Sequence, residues 1–156
     1  MKKRLFVLGL VVALALPAYA LAKEVTLTTQ LSSYRGNDAY LAIYLTDSNE
    51  VYKGTLWIAG HNSRYYRHLR DWARGSRMNQ SEYDGLTGAS VTSGRTLKIT
   101  LNLNDTLIDS GYQIHVDTAV ENQRESGSDV VVPLTTDGAG KPVKGRTYVK
   151  SFTYDL

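Results

Sequence analysis

Asp84 to Ser90 reads Asp-Gly-Leu-Thr-Gly-Ala-Ser, and Val91, Thr92 and Ser93 continue the run. Serine and threonine supply hydroxyl oxygens that form phosphoesters, and the run holds four, on Thr87, Ser90, Thr92 and Ser93. Gly88 and Ala89 leave the backbone beside Ser90 uncrowded. The segment from Ser81 to Gly94 falls between periodic stretches, so it reads as a loop that a second enzyme can reach. Asp-Gly and Thr-Gly are also ordinary turn pairs, so the residues alone leave modification and plain connection both open. Other chemistry is sparse. His61, His68 and His115 show neither the i, i+4 spacing nor the Cys/His spacing of a metal site. There is no cysteine, no Gly-x-Ser-x-Gly elbow, and no carboxylate pair that stands out for glycoside cleavage. On these residues alone the chain reads as a non-enzyme.

The N-terminus reads as an export signal over residues 1–22. Lys2, Lys3 and Arg4 precede an apolar run from Leu5 to Leu16, and Ala18-Tyr19-Ala20 and Ala20-Leu21-Ala22 are small-x-small cleavage sites. The apolar run is short for a permanent span, which takes about 20 residues, so no membrane span is expected once it is removed. The whole chain has 18 Lys plus Arg against 15 Asp plus Glu; loss of Lys2, Lys3 and Arg4 leaves 15 of each. A neutral mature chain argues against a nucleic-acid partner. Residues 23–156 suffice for one domain with its own core, expected in the periplasm.

Period-two alternation rich in Thr, Val, Ile and Tyr predicts strands at Glu24–Leu31, Ala39–Thr46, Val51–Ala59, Thr96–Leu103, Tyr112–Val120, Val130–Leu134 and Thr147–Tyr154. Seven short strands between polar turns predict an all-β, immunoglobulin-like antiparallel sandwich with one short amphipathic helix; a small barrel is the alternative. The helix is expected over Asn62–Arg74, with Asn62 or Ser63 as N-cap and Gly75 as its stop. Tyr65, Leu69, Trp72 and Ala73 would face inward, Arg67, Arg70 and Arg74 outward. Those arginines are either a solvated face or a contact for an anionic partner, such as a flavin phosphate or a docking surface, which their planar donor fork suits. Trp57, Trp72, Tyr65 and Tyr112 read as core.

The run from Asp84 has the form Asp-x-x-Thr/Ser-Gly-Ala-Thr/Ser, which resembles the acceptor motif of covalent FMN carrier proteins. In those proteins a flavin transferase of the ApbE type joins FMN through its phosphate to the last hydroxyl. The resemblance makes Ser90 the acceptor, where threonine is usual, with Asp84, Thr87, Gly88 and Ala89 as motif residues and Thr92 as the fallback. A second resemblance spans the domain. Ala39–Tyr44, Gly54-Thr55-Leu56-Trp57 and Tyr65–Trp72 are similar to the periplasmic family called domain of unknown function 2271, whose members resemble the immunoglobulin-like part of flagellar hook-capping proteins. Such proteins tend to be encoded beside PepSY-type membrane reductases linked to iron uptake. Together these imply a periplasmic electron carrier with FMN on Ser90 and a PepSY-type partner. The alternative is a cofactor-free scaffolding sandwich of an envelope metal-uptake complex.

Overall fold

The computed structural model describes residues 21–156; the expected export signal lies outside them except for its last two residues. Eight strands form two sheets. They are β1 (Ala22–Leu31), β2 (Ala39–Thr46), β3 (Tyr52–Ala59), β4 (Thr87–Gly88), β5 (Thr96–Asn104), β6 (Gln113–Val120), β7 (Ser126–Pro133) and β8 (Val149–Asp155). One sheet runs β5-β1-β8 and the other β4-β3-β2-β6-β7, every pair antiparallel except β3 with β4. The expected all-β sandwich holds, as two separate sheets rather than a closed barrel.

Alternation builds the core between the sheets. Val25, Leu27 and Leu31 from β1 and Phe152 and Tyr154 from β8 meet Leu41, Ile43 and Leu45 from β2 and Ile114 and Val116 from β6. Strand β2 is apolar on both faces because its other residues, Ala42 and Tyr44, lie under a second cluster with Ile58, Tyr66, Leu69 and Trp72. A polar sandwich face is thereby converted into a platform for the helical segment.

That segment departs from the single helix expected. A 3-10 stretch, Ser63–His68, is followed by helix α1, Arg70–Ser76, with a break at Leu69 (φ −81°, ψ 79°). The inward residues are Tyr66, Leu69 and Trp72, all buried, whereas Tyr65 lies half-exposed at the rim. Spacing of three matches the three residues per turn of a 3-10 helix, which the 3.6-residue reading misassigned. Asn62 does cap the start, accepting the Arg64 N–H at 3.1 Å. Gly75 is not the stop. It lies within α1, where a Cβ would come within 2.7 Å of the Tyr52 side chain, and the left-handed cap is Arg77 (φ 54°).

Helix α1 lacks a side-chain cap of its own, and the sheet supplies one. Asp117 of β6, fully buried, accepts the N–H groups of Asp71 and Trp72 on Oδ2, both at 2.8 Å. Its Oδ1 accepts the Ser128 N–H at 2.7 Å and the Tyr44 hydroxyl at 3.1 Å. A second buried acid, Asp129 of β7, sews the sheets together. It accepts the Thr118 hydroxyl (2.8 Å) and the N–H groups of Thr147 (2.6 Å), Tyr148 (2.9 Å) and Val149 (3.1 Å) at the entry to β8.

Burial pushes the Asp117 carboxyl above the usual carboxylate range; the bonds from Trp72 and Ser128 pull it back and the Asp71 carboxylate pushes it further up. Its contribution to stability is therefore full below the unfolded value of about 3.9 and declines as pH rises through the raised one. Asp117→Asn is expected to remove that pH slope. At neutral pH it should also cost about 2 kcal/mol, because an amide leaves backbone donors unpaired. Urea unfolding at several pH values checks both, and an unchanged midpoint would contradict the capping role.

Candidate functional site

Strand β4, only two residues long, lies inside the Asp84–Ser90 run. Thr87 and Gly88 pair in parallel with Ile58 and Ala59. The Ile58 N–H donates to the Leu86 carbonyl at 2.8 Å and the Gly60 N–H to the Gly88 carbonyl at 2.7 Å. Further on, Val91 and Ala39 exchange backbone bonds of 2.8 and 2.9 Å. Ser93 Oγ donates to the Tyr34 carbonyl and accepts the Tyr34 N–H, both at 2.7 Å. The expected loop is thus a strap, pinned at each end, that carries the chain from one sheet to the other. Only Ala89 and Ser90 lie between the pins.

Ahead of the strap, Tyr83 packs edge-on against Tyr66 (centroids 5.3 Å) and Trp72 (5.8 Å). The aromatic cluster under the helical segment therefore also sets where the motif begins. Along the strap, Thr87 and Ala89 are exposed, Gly88 and Ser90 half-buried, and Val91 buried. Asp84 and Thr92 are exposed as well. None of Asp84, Thr87, Ser90 or Thr92 takes part through its side chain in the hydrogen bonds of the described residues, whereas Ser93 is fully engaged.

Two hollows flank Ser90. One, of about 320 Å³, is lined by Trp57, Gly88, Ala89, Ser90, Arg95 and Leu97 among others. The other, of about 630 Å³, is lined by Asp38, Tyr40, His61, Tyr65, Ser90 and Glu121 among others. Glu121 is held there by the Asn37 amide at 2.8 Å and by the Tyr65 hydroxyl. The first hollow carries a cation, Arg95; the second carries two carboxylates.

Trp57 and Arg95 are the site residues that sequence reasoning missed. Trp57, expected in the core, packs against it but is only half-buried. Ile43 pairs with Trp57 but Tyr44 pairs with Thr55, so Leu56 is an inserted residue, and the bulge sets Leu56 and Trp57 both against the inter-sheet core. No alternation rule signals such a bulge. The Trp57 Nε1–H is buried without an acceptor among the described residues, whereas Trp72 donates to Thr55 Oγ1 at 2.9 Å. Gly88 lies directly against Trp57: a Cβ there would come within 2.8 Å of Cζ2 and 3.4 Å of Nε1.

The outward arginines do not reach this site. Arg67, Arg70 and Arg74 are exposed and line neither hollow beside Ser90. The histidines stay apart. His61 is exposed, His68 Nδ1 meets Glu125 at 2.5 Å, and buried His115 contacts Thr46 at 3.0 Å and Ser128 at 3.1 Å. Among the described residues no cluster of three or more His, Asp or Glu could hold a metal ion.

The model of a family described as a predicted periplasmic protein, DUF2271, matches residues 22–151. The chain belongs to this family. Searches of curated proteins and of solved structures returned no match. The DUF2271 description agrees with the periplasmic location expected from the N-terminal segment, and no helix among the described residues is long and apolar enough to cross a membrane.

In this DUF2271 domain the glycine of the motif is set by contact rather than by backbone angle. Gly88→Ala is expected to lower stability by about 1–3 kcal/mol through overpacking against Trp57. Adding Trp57→Leu should recover much of that loss, because the two sites are in contact. Denaturant unfolding of the double-mutant cycle measures this; strictly additive effects would contradict the contact.

Proposed function

We propose that the protein is a periplasmic redox carrier with FMN joined to Ser90 through a phosphoester. The observation that carries this reading is a division of labour along the strap. The backbone is fixed by hydrogen bonds on both sides of Ser90, while the side chains of Asp84, Thr87 and Ser90, the polar members of the motif, are left without use in the fold. A rigidly presented, unengaged hydroxyl suits an acceptor that another enzyme must find, and the exposed Asp84 suits recognition by that enzyme.

The first hollow has the chemistry that FMN needs. Trp57 offers an aromatic wall and a buried N–H with no acceptor among the described residues. Arg95 supplies a guanidinium for the remaining phosphate charge, whereas Asp38 and Glu121 would repel it in the second hollow. The absence of a side chain at Gly88 lets the strap lie flat beside the indole. Attachment forms a P–O bond to Ser90 Oγ as the anhydride bond of a flavin dinucleotide donor breaks. A nucleoside monophosphate leaves, and the hydroxyl proton passes to the transferase. When bound, FMN supplies the redox chemistry; the protein supplies position and electrostatics. A membrane reductase of the PepSY type, serving iron uptake, is the partner this reading expects.

Co-expression with a flavin transferase of the ApbE type, followed by intact-mass measurement, tests the assignment. One FMN adduct is expected in the wild type and in Thr92→Ala, and none in Ser90→Ala. An adduct that survives Ser90→Ala would overturn it. In the loaded protein, Trp57→Leu should keep the adduct mass while raising flavin emission, since an indole in contact quenches the ring.

A further inference from the structure

The helical segment carries a row of cations that the Ser90 site does not use. Residues 64–77 contain five arginines, Arg64, Arg67, Arg70, Arg74 and Arg77, against one acid, Asp71, although the mature chain is neutral. All five are exposed. Within the 3-10 stretch a spacing of three keeps Arg64 and Arg67 in line. In and just past α1, Arg70, Arg74 and Arg77 follow at i, i+4 and i+7. On either side of the break at Leu69 the buried residues are Tyr66, Leu69 and Trp72, so both pieces turn their arginines to the outer side, within 14 consecutive residues of chain. Acids beside the row neutralise little of it: Arg70 lies 3.7 Å from Glu125 and Arg74 3.6 Å from Asp71, both exposed and long.

We propose that this row docks the protein on an anionic phospholipid surface, the guanidiniums contacting headgroup phosphates. The choice of a membrane over an acidic protein rests on what the row lacks. Specific protein interfaces centre on desolvated aromatic and aliphatic anchors, yet here Tyr66, Leu69 and Trp72 all point into the domain. Of the exposed large hydrophobics among the described residues, Leu21, Val51, Met78 and Val143, only Met78 adjoins the row in sequence. The contact is a convex ridge driven by charge alone, which suits a planar array of phosphates and gives reversible attachment. Asn62 and Tyr65, at the start of the segment, also line the hollow beside Ser90. Docking through the row thus holds that hollow near the membrane surface.

The inference stands apart from the flavin reading and is tested on the unmodified mature protein. Co-sedimentation is compared on vesicles of phosphatidylglycerol mixed with phosphatidylcholine and on pure phosphatidylcholine, at low and high salt. Binding is expected only with the anionic lipid and should weaken with salt. Arg67→Gln, Arg70→Gln and Arg74→Gln together should weaken it on the order of a hundredfold. The same charge loss at Lys98, Lys144 and Lys150, exposed on other elements, should leave it nearly unchanged. Equal binding to both vesicles, no binding to either, retention only by an acidic protein, or equal loss in the lysine variant would each overturn the proposal.

Discussion

Gly88 lies against the indole of Trp57 with no room for a further carbon between them, and the candidate site is organised around that contact. A bulge at Leu56 brings Trp57 to the seam where β3 and β4 of one sheet face β5 of the other. The strap must cross this seam to reach β5, and it can do so at hydrogen-bonding distance from β3 only if the residue beside the ring is a glycine. With that satisfied, the backbone pairs on both sides of Ser90, and the hydroxyl is presented from a fixed frame. A bulkier residue at position 88 would lift the strap and loosen every pairing that follows.

The opposite seam is held differently. Asp129 gathers the backbone donors at the entry to β8, and Asp117 does the same for helix α1 on the outer face. Each acid sits in a strand yet spends its oxygens on another element, so each works as a clasp between layers. The aromatic trio of Tyr66, Trp72 and Tyr83 then couples the helical segment to the start of the strap. Buried groups fix the frame, and the polar side chains of the motif are left over. The proposed attachment at Ser90 rests on that asymmetry.

Much of this frame was legible in the sequence. The structure places strands β1, β2, β3, β5, β6 and β8 within about two residues of where the apolar pattern put them, although β1 and β5 alternate cleanly whereas β2 and β6 are buried on both faces. Strand β7 begins four residues before the expected Val130, because Ser126, Gly127 and Ser128 carry no apolar period. Strand β4 has only two residues and therefore no period at all. The helical break escaped notice because a spacing of three is shared by 3-10 and α geometry. Trp57 does pack against the core as expected, but its half-buried place beside Gly88 depends on pairing with a segment about thirty residues away. Asp117 did carry a signal: an acid within the apolar run from Ile114 to Val120 has to find partners, though not which ones. The motif itself was readable as residues, but its pinning depends on Ile58, Gly60 and Ala39, remote in sequence.

As a redox carrier, the domain would contribute a rigid attachment point, an aromatic wall and one cation rather than an enclosed cofactor pocket. Tethering suits so shallow a hollow, because a covalent bond replaces binding affinity. The most direct measurement is the intact mass of the mature protein isolated from its native periplasm, with fragmentation to locate any modification. The account predicts a mass excess of one phosphoester-linked FMN on the peptide containing Ser90. An unmodified mass from cells that hold an active flavin transferase would contradict it.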